Sequence, residues 1–176
     1  MLISPAYRAM NAEMHRQRED YGKSGHLFAE AVQGVIDADP GIVTALDYGC
    51  GKGTLKGLVP GVIWSEYDPA IPGKDADPMR ADLVACTEVL EHVEPECLDT
   101  VLHHLNRLTG RICIMSVAFD PAAKSLPDGR NAHLIVKPRE WWDKKLAAYF
   151  EVVKCWLRTK PGKTGMTVVA IPMRKP

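Results

Sequence analysis

The stretch LDYGCGKGT, residues 46–54, places an aspartate, Asp47, two residues ahead of the first of three alternating glycines. Those glycines are Gly49, Gly51 and Gly53. Together with the preceding IVTA, the apolar start of this stretch predicts a short buried strand that ends in a tight turn. A phosphate-binding loop needs G-x-x-x-x-G-K-[ST], and a dinucleotide loop needs a glycine where Thr54 stands. An acidic residue beside closely approached backbone instead favours a cationic ligand over a pyrophosphate.

Working outward, further apolar runs predict a sheet. Strands are expected at GVIWSEYD (61–68), ADLVACTEVL (81–90) and RICIMSV (111–117), and a closing antiparallel hairpin at 151–172. Helices are expected at 5–20, 26–38, 138–150, near 54–58, and from Pro95 to Gly110, with Ser24 capping the second of these. Alternating strands and helices predict an α/β fold: a mainly parallel sheet with helices on both faces.

Composition limits the classes of function. Lys plus Arg and Asp plus Glu both number 22, so the formal net charge is zero, which argues against a generally nucleic-acid-binding or membrane-binding surface. The five cysteines are dispersed, which predicts reduced thiols and neither a disulfide framework nor a zinc site. With no signal-peptide pattern at the N-terminus and no long apolar run, a cytoplasmic location is expected.

Two motifs together carry a family resemblance. LDYGCGKGT and EVLEHV (88–93) resemble the first motif and the post-strand-four segment of class I S-adenosylmethionine-dependent methyltransferases, over roughly residues 20–118. LPDGRNAHL (126–134), followed by Trp141, is similar to short bacteriophage members. The resemblance implies a Rossmann-like sheet with S-adenosylmethionine as cofactor. Only about a dozen residues separate the second predicted strand from the next, so a reduced third strand is expected.

The resemblance also implies one domain, 1–176, in three parts: an N-terminal helical lid (1–38), a cofactor-binding half (42–118) and a substrate-side half (119–176). Asp47 and the three glycines would wrap the methionine part of the cofactor. Asp68 would bind the ribose hydroxyls, with Glu66 as a weaker alternative. The remaining cofactor contacts implied are Thr87 and Glu88 beside the methyl donor and Tyr21, Gly22 and Ser24 in the lid.

A base is needed if the acceptor is a hydroxyl or a protonated amine. His133 is the first candidate, because histidine titrates near neutrality, and the others are Asp128, Glu88 and His92. Arg130 and Asn131 are expected to orient the acceptor. Asp128, Arg130, Asn131 and His133 lie in a long loop, 118–137, of a length that compact domains seldom keep without a use.

The acceptor itself is not specified by the sequence. The residues after the predicted fourth strand, Thr87 to Leu90, do not match the motif of enzymes that methylate exocyclic amines of DNA bases, and no target-recognition domain is evident. A small molecule or a nucleotide is favoured as the acceptor, and nucleic acid stays open. The oligomeric state is not predicted.

Several alternatives accompany this interpretation. Glu88 and His92 stand four residues apart, a spacing that suits one metal, but no third ligand is evident, so no metal site is predicted. His103 and His104 are expected to be solvated on the polar side of their helix. A non-catalytic S-adenosylmethionine-binding partner or another transferase using that cofactor remains open, and a NAD-dependent oxidoreductase is disfavoured because G-x-G-x-x-G is absent.

Overall fold

A computed structural model describes residues 1–160 and 162–174. Its α-helices are α1 (Pro5–Gln17), α2 (Ala29–Ala38), α3 (Leu98–Leu108) and α4 (Arg139–Ala147). Its strands are β1 (Thr44–Tyr48), β2 (Ile63–Tyr67), β3 (Ala81–Thr87), β4 (Thr109–Ala118), β5 (Phe150–Lys160) and β6 (Lys163–Pro172). Short 3-10 turns occur at Ser24–Phe28, Leu90–His92 and Pro95–Cys97.

The strands form one six-stranded sheet in the order β2-β1-β3-β4-β6-β5. The first four strands are parallel, whereas β6 runs antiparallel to β4 and β5 antiparallel to β6. This is the predicted mainly parallel sheet with a closing hairpin. The segment 68–80 contains no strand, so β2 forms the sheet edge, as the short spacing in the sequence predicted.

The sheet is covered on both faces. Alternate residues of the central strands point to opposite faces, as strand geometry requires. Leu46 and Val84 pack in one apolar cluster with side chains of α3 and α4, such as Leu102. Leu83 packs on the other face, in a second cluster that contains Val32 of α2. The carboxyl ends of β1, β2 and β3 are thereby held side by side at one edge of the layer.

Three local predictions are wrong. The segment 54–58 contains turns and no helix. Ser24 begins a 3-10 turn, and no side-chain hydrogen bond caps that turn or α2. Gly110 lies in β4, two residues after the end of α3, and lacks the left-handed conformation of a helix-ending glycine; a Cβ there would stand 2.7 Å from the carbonyl oxygen of Ala81 on the neighbouring strand.

His104 is also placed differently from its prediction. Its ring is buried, with Nδ1 3.0 Å from the Tyr48 hydroxyl and Nε2 3.0 Å from Asp77 Oδ1. Neighbouring His103 is exposed, as predicted. The helical spacing placed His104 beside the apolar stripe, and the two tertiary partners satisfy its ring nitrogens, which permits burial.

The helix α1 is fixed at its start by a residue from a distant segment. The Ser4 hydroxyl accepts a hydrogen bond from Tyr7 N, which caps α1, and the Ser4 hydroxyl and amide both donate to the buried Glu94 carboxylate at 2.6 and 2.7 Å. This places α1 across the carboxyl ends of the strands. Among the described residues, no helix has the length and apolar character needed to cross a membrane.

Candidate functional site

A cavity of about 910 Å³ opens at the carboxyl ends of the parallel strands. It has the size usual for small-molecule sites, and it occupies the place where open α/β sheets bind ligands. Five segments surround it: the N-terminal residues through Ala31, the loop after β1, residues 68–70 after β2, the EVLEHV segment and residues 118–133. The hairpin of β5 and β6 closes the last side with Arg158 and its neighbours.

The loop after β1, residues 49–54, is here named the glycine loop. It turns tightly because the amides of Gly49 and Cys50 both donate to the Tyr67 carbonyl at the end of β2, at 2.7 and 3.0 Å. Gly49 has φ +72°, a left-handed conformation in which other residues are strained, and a Cβ there would lie 2.5 Å from Val89. The backbone of the loop therefore borders the cavity directly.

Gly51 lies tightly against the backbone of the N-terminal segment. A Cβ at Gly51 would lie 2.5 Å from the carbonyl oxygen of Gly22, and Lys52 N donates to that oxygen at 2.8 Å. The resemblance implies that Gly51 lies against the cofactor. The structure adds a second reason for a glycine at this position, because the backbones of Gly51 and Gly22 meet there with no side chain between them. Gly53, which was also expected to contact the cofactor, does not border the cavity, and a Cβ there would face Glu66.

Asp68 lies directly after β2, with its carboxylate buried at the cavity wall. Oδ2 accepts a hydrogen bond from Gly51 N at 3.1 Å, and Oδ1 accepts one from Ala70 N at 2.9 Å. One oxygen thus joins β2 to the glycine loop. Each carboxylate oxygen retains a second acceptor position, so the group can still bind a pair of hydroxyls. Glu66 is paired with Lys74 at 3.2 Å and does not border the cavity.

His15 of α1 covers Asp68, with Nε2 3.9 Å from Oδ2. Burial lowers the pKa of His15, although the Asp68 carboxylate opposes that shift. Its ring stacks edge to face on Tyr21 at 4.8 Å between centroids. His15 was not predicted as a site residue, since a histidine in a polar helix gives no local signal of function.

The segment 1–28, here named the N-terminal lid, is fastened to the EVLEHV side as well. The Tyr7 hydroxyl donates to the His92 carbonyl at 2.6 Å, and the Tyr21 hydroxyl donates to Asn11 at 2.8 Å. Tyr21, Gly22 and Ser24, for which the resemblance implies cofactor contacts, border the cavity. The predicted lid extended to residue 38, but α2 packs Val32 and Ile36 in the core, so its C-terminal part belongs to the sheet layer.

Asp47 and Thr87 are buried strand residues outside the cavity lining. Burial is the main cause that raises the pKa of Asp47 to about 7, with Glu66 contributing. The carboxyl group therefore lies beneath the glycine loop and does not touch the cavity. The motif suggested that Asp47 and Thr87 contact the ligand directly. In this arrangement neither side chain reaches the cavity.

Glu88 stands at the end of β3 with φ +56°, the only non-glycine residue with positive φ among those described. Its amide and its Oε1 both bond Ser116 Oγ, at 2.9 and 3.0 Å, and Arg158 of β5 donates to Oε1 at 2.5 Å. Non-glycine residues held in this conformation are concentrated at functional sites. Glu88 and Arg158 both border the cavity, and Arg158 was not predicted.

His92 and His133 also border the cavity, with ring centroids 4.7 Å apart. Burial and the neighbouring His133 lower the pKa of His92 to about 4. The buried Glu91 is adjacent, and burial and Glu88 raise its pKa to about 8. Glu91 was not among the predicted site residues, although it stands inside the quoted EVLEHV motif.

The structure does not bring Asp128, Arg130 or Asn131 to the cavity. Asp128 and Arg130 pair with each other at 2.7 Å on an exposed turn. The Asn131 amide bonds both the amide and the carbonyl of Ala122, at 2.9 and 2.8 Å, and its oxygen also accepts from His133 N. Asn131 thus shapes the loop that presents His133, which is a different role from the predicted contact with an acceptor.

Solved structures of methyltransferases share this fold. A 1,6-didemethyltoxoflavin N1-methyltransferase from Burkholderia thailandensis, with 1,6-didemethyltoxoflavin and S-adenosylhomocysteine bound, aligns with a TM-score of 0.68 and 15% identity, over 99% of this chain and 92% of that chain. The N-methyltransferase NodS of Bradyrhizobium japonicum WM9, in complex with S-adenosylhomocysteine, gives 0.65 and 12%, over 95% and 100%.

A third similar structure is the magnesium protoporphyrin IX methyltransferase of Synechocystis PCC 6803 with bound S-adenosylhomocysteine, at a TM-score of 0.63 and 17% identity, over 94% of this chain and 96% of that chain. At these identities the likeness gives the fold, which is the Rossmann-like fold of class I methyltransferases. No family model matches the chain, and no curated protein matches its sequence.

Proposed function

We propose that this protein binds S-adenosylmethionine and transfers its methyl group to a small-molecule or nucleotide acceptor. One observation carries the proposal: the backbone of Gly49 and Gly51 and the carboxylate of Asp68 converge on one cavity at the strand ends. Asp68 would accept the ribose hydroxyls, and the glycine loop would lie against the methionine part. Solved structures of the same fold hold this cofactor or its product, which supports the assignment.

In the proposed reaction a nucleophilic atom of the acceptor attacks the methyl carbon of the sulfonium. The new bond to carbon forms as the carbon–sulfur bond breaks, and S-adenosylhomocysteine leaves. The sulfonium already supplies the leaving group, so the chain mainly orients the partners and excludes water. The N-terminal lid suits that task, since Tyr7 bonds it to the His92 carbonyl at the cavity wall, while Asn11 bonds Tyr7 and Tyr21 within the lid.

His133 is the proposed group that activates the acceptor. Its Nδ1 donates to the Asp120 carbonyl at 2.6 Å, which leaves the Nε2 lone pair for an acceptor proton or another electrophile. His92 has a lowered pKa and would be a weak base. Glu88 is held by Arg158 and Ser116 and is less free to move. Asp128 lies outside the cavity and would not take part.

Thermal unfolding tests the cofactor assignment. S-adenosylmethionine, S-adenosylhomocysteine, NADH and ATP are added separately at one concentration, and the unfolding midpoint is recorded for each. A ligand at a hundred times its Kd stabilises the folded chain by about 2.7 kcal/mol, which raises the midpoint by several degrees. We expect the two sulfur ligands alone to raise it. A rise with NADH or ATP, and none with the sulfur ligands, would contradict the proposal.

Thermal unfolding does not separate an enzyme from a non-catalytic binding partner, so a transfer assay with a supplied acceptor is needed. Candidate nucleotides and small phenols or amines are therefore incubated with the protein and radiolabelled S-adenosylmethionine, and transfer is measured. Loss of transfer in His133→Ala with retained cofactor binding is the result expected of an enzyme. Equal transfer by both proteins would remove His133 from the reaction.

A further inference from the structure

Three side chains beside the cavity place potential metal-binding atoms close to one another. One ligand atom from each of Glu91, His92 and His133 lies within 4.8 Å of the ligand atoms of the other two. His92 and His133 border the cavity, and Glu91 lies behind them, fully buried. The proposed function has no role for Glu91, so this cluster needs its own explanation.

The hydrogen bonds of the two imidazoles leave the same atom free on each ring. His92 Nδ1 donates to the Ala132 carbonyl at 2.8 Å, and His133 Nδ1 donates to the Asp120 carbonyl at 2.6 Å. A carbonyl oxygen only accepts, so the proton of each neutral ring lies on Nδ1 and the lone pair on Nε2. Histidines that bind metals usually donate their other N–H to a carbonyl or carboxylate in this way.

Glu91 supplies a second, independent observation. Its Oε1 accepts a hydrogen bond from Ala118 N at 3.0 Å, whereas no donor among the described residues reaches its buried Oε2. Once Glu91 is ionised, a buried carboxylate oxygen without a hydrogen-bond donor or a cation is costly, so a bound cation would stabilise that form. Neighbouring Glu88 is not part of the cluster, and its Oε1 is bonded to Arg158 and Ser116.

The backbone fixes this cluster before any ligand binds. Ile135 N donates to the Glu91 carbonyl at 3.0 Å, while His92 holds the Ala132 carbonyl, so the loop carrying His133 is attached on both sides of that residue. Asn131 adds a bond to His133 N at 2.9 Å. Ligand atoms that each lie about 2.0–2.2 Å from one metal lie roughly 3–4 Å from one another. Side-chain rotations that shift these ligand atoms by about an ångström would therefore complete the site.

We infer that Glu91, His92 and His133 bind a divalent transition-metal ion at the acceptor side of the cavity. Two imidazoles and one carboxylate suit Zn²⁺, Fe²⁺, Mn²⁺ or Co²⁺ better than Mg²⁺ or Ca²⁺, which prefer oxygen ligands. Three protein ligands leave coordination positions open toward the cavity. An oxygen of the acceptor can occupy one of them.

The role of the metal in the reaction rests on the proposed function. An acceptor hydroxyl bound to the ion has a lowered pKa and releases its proton to water, and its oxygen then attacks the methyl carbon as the carbon–sulfur bond breaks. His133 is in that case a metal ligand, and its Nε2 lone pair is no longer available as a base. Metal binding itself does not require that reaction and is tested without it.

Cobalt is the probe for the test. Chelator-treated full-length protein, prepared without a polyhistidine tag, is titrated with Co²⁺ while visible absorption is recorded, and Zn²⁺ is then added to displace it. We expect one Co²⁺ per chain. Glu91→Gln and His133→Ala should each weaken binding at least about tenfold. His103→Ala, which removes an exposed histidine on α3, is the matched control and should bind as the wild type does.

Circular dichroism and S-adenosylhomocysteine calorimetry on the same samples separate the possible failures. His133 lies on a half-buried loop, so its variant should fold even if that of buried Glu91 does not. Absence of one-to-one Co²⁺ binding by the wild type, or unchanged binding by a folded His133→Ala, overturns the metal site. If S-adenosylhomocysteine binds in either case, the proposed function stands. Metal binding without S-adenosylhomocysteine binding supports the site and rejects the function.

Discussion

The two sides of the cavity differ in how far apart in the chain their contacting residues lie. On the glycine-loop side, Gly51 and Asp68 are 17 residues apart, and they follow the ends of β1 and β2, which are consecutive and neighbouring strands. On the opposite side, Glu88 meets Arg158, 70 residues further along, and His92 meets the carbonyl of Ala132, 40 residues further along. Local sequence motifs therefore describe the first side well and the second side poorly.

The difference also concerns the kind of group that each side presents. The glycine-loop side offers backbone and one carboxylate, arranged by turns whose residue types are visible in the sequence. The opposite side offers side chains of mixed type from a loop and a hairpin. Methyltransferases of this fold act on varied acceptors, as the protoporphyrin and toxoflavin enzymes illustrate. A side built from long-range contacts can change without altering the loop that binds the shared cofactor.

Gly51→Val gives the largest effect expected, because the new side chain would collide with the backbone of Gly22 and would strain a residue at φ +51°. We expect S-adenosylhomocysteine affinity to fall at least about 100-fold by calorimetry. Gly57→Val, at a site with no atom within 4 Å of the new Cβ, is the control. Equal affinity in the two variants would show that the glycine loop does not determine cofactor binding.

Asp68→Ala is expected to act on the same side with a smaller effect. It removes a charged acceptor of hydrogen bonds worth about 1–3 kcal/mol, which weakens S-adenosylhomocysteine binding by roughly 5- to 150-fold. Glu66→Gln is the matched comparison, because Glu66 belongs to the same strand but faces Lys74 outside the cavity. A greater loss of S-adenosylhomocysteine affinity in Glu66→Gln than in Asp68→Ala would show that Glu66, and not Asp68, contacts the ribose.

Asp47→Asn should change cofactor affinity least, by less than about twofold, since Asp47 does not border the cavity. Its effect should appear in stability against pH. The folded-state pKa of about 7 exceeds the ordinary value of 3.8, so the protonated carboxyl stabilises the fold fully below pH 4. That contribution is lost as pH rises through 7, on the order of 4 kcal/mol in all.

Denaturant unfolding at pH 4 and pH 8 measures this difference. The Asn variant lacks the titration, so its stability relative to the wild type should rise between those two pH values. Parallel pH profiles for the two proteins would show that Asp47 is not buried as described. A large loss of S-adenosylhomocysteine affinity in the variant would instead restore the direct cofactor contact that the motif suggested.

The sequence predicted the sheet and its order of elements well, because buried parallel strands appear as continuous apolar runs and their connections begin with turn residues. It was less successful where tertiary partners decide. His104 is buried because Tyr48 and Asp77 satisfy its ring, and Gly110 serves a close strand approach, not a helix end. In both cases the contacting residue is distant in sequence, so the local periodicity could not predict the contact.

The sequence by itself determined the α/β class, the missing strand beside β2 and the glycine loop with Asp68, because spacing and residue type specify turns and strand ends. Only the tertiary structure decided which of the remaining polar residues meet. In that structure Asp128, Arg130 and Asn131 lie outside the cavity, and Glu91 lies beside His92 and His133. The physical reason is that a loop of twenty residues is positioned by long-range hydrogen bonds, such as those of Glu91 and His92, which no short motif encodes.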